Sequence, residues 1–364
     1  MFFRRLFIIL AVGLLLVAGC AQAPTPTPTQ TPTPTLTPTA TPAPGPDLMK
    51  EAAEFYKGKT IHFRVVFNPG GSYDLVARAL APFLSKHTGA TVVVENMPGA
   101  GGLTATNHLY EKAEQDGLNI LIMLTATIVQ GQLVGDPSVR YNLMEMNPLG
   151  NVMASFNQFW VTKDLPYNTV TEMIAHGEPV RFACTTQSSF SYWVPEYILG
   201  DAGVKAQPVR GYKGSPDETL SVVRGETESV FLPITAAPIK SAYDDGTVKP
   251  IVSFSPERIP ELPDVQTVYE ENLTLSEVAK FWLDFHVGTQ QYRAAIYTNQ
   301  NVLGARVRFL REALRKSMEE PELLEQIKAM GPAYDSGEDV AKAVDTWLRV
   351  EEAKVKPFRA VLGL

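Results

Sequence analysis

The chain has 364 residues, of which 45% are hydrophobic, so it is long enough for two domains and can bury a sizeable core. Its formal net charge of -7 at pH 7 argues against a nucleic-acid partner, which would require a basic face. The same charge leaves open the binding of a small anion, because an anion site can be built from local dipoles.

The first 20 residues are typical of an export signal. Arg4 and Arg5 precede an apolar stretch at residues 6–18, which is too short for a membrane span. The stretch ends in Val-Ala-Gly-Cys at residues 17–20, which resembles a bacterial lipobox. In such signals the cysteine is diacylated, and two acyl chains anchor a protein stably. Residues 1–20 are therefore predicted to be a lipoprotein signal peptide with Cys20 as the lipid anchor; the alternative is a plain secretory signal with an incidental cysteine.

Residues 21–46 consist almost entirely of proline, threonine and alanine. Such a segment has no apolar surface to bury and favours extended polyproline II conformations. We interpret it as a disordered linker that holds the folded part, which begins near Asp47, away from a membrane.

The folded part opens with apolar strands that alternate with helical patterns. The predicted elements are a helix at residues 47–56, strands at 61–67, 91–94 and 118–124, a helix that begins at residue 72, and a helix that ends near residue 113. Strands and helices in this order are typical of a doubly wound α/β domain with a parallel sheet.

A proline-glycine turn follows each of the first two strands. Turn one is Asn-Pro-Gly-Gly-Ser at residues 68–72, and turn two is Met-Pro-Gly-Ala-Gly-Gly at residues 97–102. Glycine permits positive φ and a close approach of the backbone, and a helix N-terminus offers unpaired N–H groups. Because both turns end parallel strands, we expect them to form one anion socket. The predicted ligand-binding residues here are Gly70, Gly71, Ser72, Tyr73, Asp74, Pro98, Gly99, Ala100, Gly101 and Gly102.

Two charged residues and a serine near turn one have competing interpretations. Asp74 could be a general base, but its place in the first turn of a helix favours a bond to the backbone of turn one. Arg78 follows one helical turn later and can pair with Asp74, or it could clamp a ligand carboxylate. Ser72 is expected to be the N-cap of the helix.

A second βαβ block is predicted after a strand at residues 152–161 that could cross to another domain. Its predicted elements are helices at residues 169–176, 193–199 and 217–224 (the last capped by Ser215), and strands at 179–183, 207–210, 229–232 and 249–254, the last of which would return to the first domain. Ser188 and Ser189 follow a strand end, where they could donate hydrogen bonds to a ligand or cap the helix that carries Trp193. Three helices are predicted after it, at residues 307–318, 321–330 and 340–356.

The sequence lacks the usual signatures of catalysis and of cofactor binding. The five histidines have no second histidine or cysteine at metal-ligand spacing, and no G-x-S-x-G elbow occurs. Turn two does not match the dinucleotide spacing G-x-G-x-x-G, and no Walker pattern is present. Cys184 is interpreted as a small buried residue. We therefore expect no catalytic residues, no metal and no cofactor.

Several segments resemble one family of receptors. PGGSYDLVARAL at residues 69–80 and VVVENMPGAGG at residues 92–102 resemble the Bug-type substrate-binding proteins of tripartite tricarboxylate transporters. GYKGSPDETLSVVRGE at residues 211–226 is similar to a segment of the family's second domain, and residues 257–267 match another except that Gln266 replaces a proline. The resemblance is weakest at residues 272–301. In the family the loop of Ser188 and Ser189 faces the cleft, which favours ligand contact for both.

The resemblance implies a two-domain α/β periplasmic-binding-protein (Venus flytrap) fold, each domain a mostly parallel sheet flanked by helices. Residues 47–155 and 255–364 would form a discontinuous domain 1, and residues 156–254 domain 2. It implies an extracytoplasmic, lipid-anchored, monomeric receptor that captures a small carboxylate and delivers it to an integral-membrane permease driven by an ion gradient. The alternatives are the receptor of an ATP-driven importer, a ligand sensor for a membrane kinase, and an exported enzyme, for which no nucleophile or metal cluster is visible.

Overall fold

The computed structural model of the protein describes residues 46–185 and 187–364. The predicted signal peptide, the predicted anchor Cys20 and all but the last residue of the predicted linker lie outside the described residues. Within the described part, helices and strands alternate along most of the chain. This alternation confirms the predicted α/β fold class.

Helices cover both sheets and follow most of the strands. Helix α2 illustrates the cause: Val76, Leu80 and Leu84 recur at helical spacing and are buried, and Gly89 ends the helix with a left-handed φ of 73°. The helices are α1 (Pro46–Tyr56), α2 (Ser72–Thr88), α3 (Leu103–Glu111), α4 (Thr125–Val134), α5 (Val170–His176), α6 (Phe190–Trp193), α7 (Ser215–Val223), α8 (Ala237–Asp244), α9 (Glu277–Gln291), α10 (Gly304–Met318), α11 (Pro321–Ile327), α12 (Gly337–Leu348) and α13 (Glu352–Leu362).

The strands form two sheets, which we call sheet one and sheet two. Sheet one has the order β11-β4-β10-β3-β1-β2, and sheet two has the order β7-β6-β8-β5-β9. The strands are β1 (Thr60–Val65), β2 (Thr91–Asn96), β3 (Asn119–Leu124), β4 (Asn147–Met153), β5 (Asn157–Thr162), β6 (Val180–Cys184), β7 (Ala206–Arg210), β8 (Ser229–Pro233), β9 (Val248–Phe254), β10 (Ala294–Thr298) and β11 (Pro332–Ser336). The residue ranges proposed for the two domains remain a prediction.

Strand directions are more mixed than expected. β1 pairs in parallel with β2 and β3, and β6 pairs in parallel with β7 and β8. In contrast, β10 is antiparallel to β3 and β4, and β5 is antiparallel to β8 and β9. β11 is also antiparallel to β4, so neither sheet is mostly parallel.

The predicted long strand at residues 152–161 is in fact two strands. β4 lies in sheet one and β5 in sheet two, and residues 154–156 connect them. The predicted returning strand at residues 249–254 also needs correction, because β9 pairs with β5 at the edge of sheet two. The chain returns to sheet one through residues 255–276 and α9, and neither α9 nor β10 was predicted.

Three local predictions were wrong. Ser72 and Ser215 are the first residues of α2 and α7, whose N-caps are Gly71 and Gly214. Gly71 takes the extended backbone of an N-cap, and Gly214 takes a φ of 135° that favours glycine, so each serine lies one position inside its helix. The last predicted helix, residues 340–356, is divided between α12 and α13 around Arg349, which ends α12 with a non-helical ψ of 43°.

Candidate functional site

A cavity of about 800 Å³ lies between elements of the two sheets. This volume falls within the range of about 300–1,000 Å³ that is common for ligand sites. Sheet-one elements contribute Phe67, Gly70, Gly71, Ser72, Leu75, Leu124, Met153, Ser155, Arg293, Ala329 and Met330. Sheet-two elements contribute Asn157, Thr185, Ser189, Phe190, Ser191, Gly214, Ser215, Pro216, Glu218, Phe231, Leu232, Pro233, Thr235, Ala236, Ala237 and Pro238.

Four helices of eight or more residues begin at this cavity: α2, α4, α7 and α8. Their N-cap residues, Gly71, Leu124, Gly214 and Ala236, all line it. None of the four N-caps makes a side-chain hydrogen bond to its helix. The first N–H groups of each helix have no intrahelical acceptor and carry the positive end of the helix dipole. The cavity wall is therefore suited to a small anion.

Turn one lies directly at the cavity, where Gly70, Gly71 and Ser72 line the wall. Gly70 has a φ of +86°, and its N–H donates to Asp74 Oδ2 at 2.9 Å. Arg78 Nε donates to the same oxygen at 2.9 Å, and Asn96 Nδ2 donates to Oδ1 at 2.9 Å. This network supports the structural interpretations of Asp74 and Arg78, since Asp74 is buried and both of its oxygens accept bonds.

The pKa of Asp74 reflects this network. Burial by itself would raise the pKa, but hydrogen bonds from Arg78, from the Gly70 amide and from Asn96 outweigh it and hold the pKa at about 2. Asp74 is therefore ionised at neutral pH and fixes the backbone of turn one. A general base would instead need a carboxylate that can take up a proton near neutral pH.

Turn two has different surroundings. Residues 98–102 are not among those that line the cavity. Gly99, Ala100, Gly101 and Gly102 all have positive φ, and an added Cβ on Gly102 would lie 3.3 Å from both Val66 and Ile128. Close packing against Val66 and Ile128 accounts for Gly102, whereas Gly99 and Gly101 are exposed and are favoured by their positive φ. The predicted ligand contacts of Pro98, Gly99, Ala100, Gly101 and Gly102 remain a prediction.

The strand order explains the separation of the two turns. β1 lies between β3 and β2, and the cavity opens on the side of β3, β10 and β4. Turn two follows β2, the edge strand on the opposite flank of β1. Both turns lie at the same edge of the sheet, as predicted, but only turn one faces the cavity.

The other predicted contacts are divided between cavity and core. Ser189 lines the cavity as the N-cap of α6, and its hydroxyl lies 3.1 Å from that of Ser191; Ser188 is the preceding residue and does not line the cavity. Tyr73 is buried, donates its hydroxyl to the Arg293 carbonyl oxygen at 3.1 Å, and lines a smaller neighbouring cavity of about 460 Å³. Burial raises the pKa of Tyr73 to about 12.

Two charged cavity residues, Arg293 and Glu218, were not predicted. Arg293 precedes β10, and its Nη1 donates to Gln290 Oε1 at 2.7 Å. Glu218 lies near the start of α7 and is 2% exposed. Burial raises its pKa to about 7, against the effect of a hydrogen bond from Ser191. The glutamate lies within the segment GYKGSPDETLSVVRGE that resembles the family, but no sequence signal distinguishes it from an ordinary charge in a first helical turn.

Comparisons with known proteins identify the family and the fold of the chain. The family described as "Tripartite tricarboxylate transporter family receptor" (TctC) matches residues 76–356. The chain belongs to this family. Protein BugT of Bordetella pertussis is 27% identical over 227 residues, which cover 60% of this chain and 68% of BugT. A TctC solute binding protein from Polaromonas has a TM-score of 0.66 and 20% identity, covering 85% of this chain and 99% of its own. An R. palustris protein with adipate has a TM-score of 0.62 and 19% identity, covering 84% and 97%.

Membership in the TctC family confirms the predicted resemblance and makes this chain a solute-binding receptor, which is a transport role without catalysis. The periplasmic binding protein BugD has the same fold, with a TM-score of 0.61 and 22% identity, covering 84% of this chain and 98% of its own. Among residues 46–185 and 187–364, no helix is long and apolar enough to cross a membrane. The same residues contain no group of three or more potential metal-ligating side chains. Cys184 is a buried free cysteine, and burial raises the pKa of its thiol to about 12.

Proposed function

We propose that this TctC-family receptor captures a small carboxylate in the cavity between the two sheets and delivers it to an integral-membrane permease. The observation that carries the proposal is the convergence of four uncapped helix N-termini, those of α2, α4, α7 and α8, on one cavity. Dipoles in this arrangement stabilise a buried anion without a charged partner. Adipate in a relative of the same fold is consistent with a carboxylate ligand.

Arg293 would complete the carboxylate site. Its guanidinium group is a planar donor that suits a carboxylate, and Arg293 lines the cavity beside the start of α2 and α4. On the other wall, Ser189 would close over the rest of the ligand, and Ser188 would contact it if the cavity narrows. Bridging water molecules would satisfy the remaining donors.

Ligand capture would proceed by closure of sheet-two elements onto sheet-one elements. The chain crosses between the sheets at residues 154–156 and again at residues 255–276. Because so few segments connect the two sheets, the sheets can close around a ligand by hinge motion. Closure would create the surface that the permease binds. Deleting the gene should abolish uptake of the ligand by cells, and unchanged uptake would contradict the transport role.

The carboxylate site can be tested by removing one backbone donor. Ser72 is the first residue of α2, where proline is tolerated, and the preceding Gly71 has extended angles (φ -79°, ψ 167°) that suit a following proline. We expect Ser72→Pro to weaken carboxylate binding at least about tenfold, because a hydrogen bond to a charged group contributes about 1.5–3 kcal/mol. Isothermal titration calorimetry with mono-, di- and tricarboxylates measures the effect.

A matched control is Glu277→Pro, which places proline at the first residue of α9, away from the cavity. This variant should keep the affinity of the unaltered receptor. If no carboxylate binds the unaltered receptor, while uncharged solutes do, the proposed ligand class is wrong. Equal affinities of Ser72→Pro and Glu277→Pro would remove the α2 terminus from the site.

We also propose that diacylated Cys20 anchors the receptor to a membrane, since the lipobox-like residues 17–20 precede a long linker. Cys20→Ser should release the receptor into the soluble fraction of fractionated cells. Continued retention in the membrane fraction would show that the apolar segment itself is an uncleaved anchor.

A further inference from the structure

Glu218 is an unusual component of an anion-binding cavity. It is buried and lines the cavity, and its Oε1 atom has no hydrogen-bond partner among the described residues. Ser191 also lines the cavity, and its hydroxyl acts against the raised pKa of the same carboxyl group. A buried carboxyl oxygen without a partner is costly, so this atom requires a donor. Oε1 is shielded from solvent, but because Glu218 lines the cavity, a rotation of its side chain would bring this oxygen to a donor held there.

The charges of the cavity wall define what that donor can be. Among the described residues that line the cavity, Arg293 and Glu218 are the ones with charged side chains, and they belong to elements of different sheets. A bound carboxylate pairs with Arg293 and with the helix N-termini. A donor group elsewhere on the same ligand can then pair with Glu218.

We propose that Glu218 makes the cavity select carboxylates that also carry an amine, and that it disfavours ligands with a second carboxylate. This inference rests on the proposed carboxylate-binding function. An ammonium group satisfies the unpartnered oxygen and balances the charge of the occupied cavity. A second carboxylate at this position meets a like charge, or binds only if Glu218 is protonated.

Matched ligands at pH 8 test the selection by isothermal titration calorimetry. At each of four, five and six carbons, the probes are the straight-chain dicarboxylate, the unsubstituted monocarboxylate, the ω-amino acid and the α-amino monocarboxylic acid. We expect one amino compound to bind the receptor at least about tenfold tighter than the dicarboxylate of equal length. Glu218→Gln should reduce this ratio at least about tenfold, mainly by weakening the amino compound.

Asp217→Asn is the matched control, since it removes the same charge from the neighbouring residue, which does not line the cavity. It should leave the ratio within about twofold. A dicarboxylate preference in the unaltered receptor, or a ratio that Glu218→Gln leaves unchanged, overturns the inference. The preference of the unaltered receptor decides the question even if Glu218→Gln does not fold. Carboxylate binding without an amine preference overturns only this inference, whereas binding of no carboxylate overturns the proposed function as well.

Discussion

The two proline-glycine turns are similar in sequence but differ in what surrounds them. Turn one is open: an added Cβ on Gly70 would meet nothing within 4 Å, and the turn lines the large cavity. Turn two is exposed at residues 98–101 but packed at its end, where Gly102 is buried and an added Cβ would lie 3.3 Å from both Val66 and Ile128. The same motif thus borders a cavity in one place and packs against the core at its end in the other.

The difference shows that a motif specifies a backbone path, whereas the strand order specifies what that path faces. Both turns provide positive φ and lead into a helix. β1 is an inner strand next to β3, while β2 is an edge strand. A close match between two motifs therefore does not imply that they share a ligand.

The two turns are also physically connected. Asn96, the last residue of β2, donates through Nδ2 to Asp74 Oδ1 and to the Phe67 carbonyl oxygen, both at 2.9 Å. Arg78 Nη2 donates to Asn96 Oδ1 at 2.9 Å. The network of Asp74, Arg78 and Asn96 links turn one to β2, the strand that precedes turn two. A change in this network should therefore alter the backbone of turn one.

The largest expected effect is a loss of folding stability, which should be greater for a substitution in turn two than for one in turn one. Gly102→Ala should destabilise the fold by about 2–4 kcal/mol, because a left-handed φ costs an L-residue about 1–2 kcal/mol and crowding against Val66 and Ile128 adds about 1–2 kcal/mol. Gly70→Ala, with a φ of +86° and open space around it, should cost about 1–2 kcal/mol. Urea unfolding of both variants measures the difference. Equal losses would contradict the difference in packing between Gly70 and Gly102.

A smaller effect should come from the support of turn one. Asp74→Asn should cost about 2 kcal/mol at pH 7, because the folded pKa of about 2 lies below the ordinary value of 3.8. A depressed carboxyl pKa stabilises the fold above the unfolded pKa, and this contribution is lost as pH falls from about 4 to about 2. The stability gap between the variant and the unaltered receptor should therefore close over that range, as followed by urea unfolding at several pH values.

Asp217→Asn controls for the loss of a carboxylate at the third residue of a helix. Asp217 holds that position in α7 and accepts a 3.2 Å hydrogen bond from the Lys213 backbone N–H. This substitution should change stability much less than Asp74→Asn does. A gap for Asp74→Asn that stays constant down to pH 2 would mean that the carboxylate charge does not stabilise turn one.

Much of the fold could be predicted from the sequence because the patterns that indicate its strands and turns are local. β1, β2 and β3 are apolar runs that end at turns, and each was placed within two residues of its observed ends. The switch between β4 and β5 was not visible, since Ala-Ser-Phe at residues 154–156 contains no proline or glycine. β10 is a buried run of only five residues after an unpredicted helix, so neither its length nor its surroundings marked it.

The candidate site could be predicted only in part, because most of it depends on contacts between residues distant in sequence. Turn one carries its own signal, since glycines before a helix start indicate an exposed backbone. Arg293 and Glu218 reach the cavity through two crossings of the chain between sheets, which depend on pairings distant in sequence. Ala236, the N-cap of α8, is not a typical capping residue, so the start of α8 at the cavity was not predicted either.

The smallest expected effect decides whether turn two contacts the ligand. Gly101 has a φ of 63° and a ψ of 19°, close to the left-handed helical region, and an added Cβ would lie 3.2 Å from Thr127. Gly101→Ala can therefore fold with a modest loss of stability, whereas a β-branched residue would be strained for reasons unrelated to binding. Because turn two does not line the cavity, we expect the affinity of the Gly101→Ala receptor for carboxylates to differ less than about threefold from that of the unaltered receptor, as measured by calorimetry. A loss of affinity above about tenfold, with Ser72→Pro measured alongside, would place turn two at the ligand and would imply that closure brings turn two to the cavity.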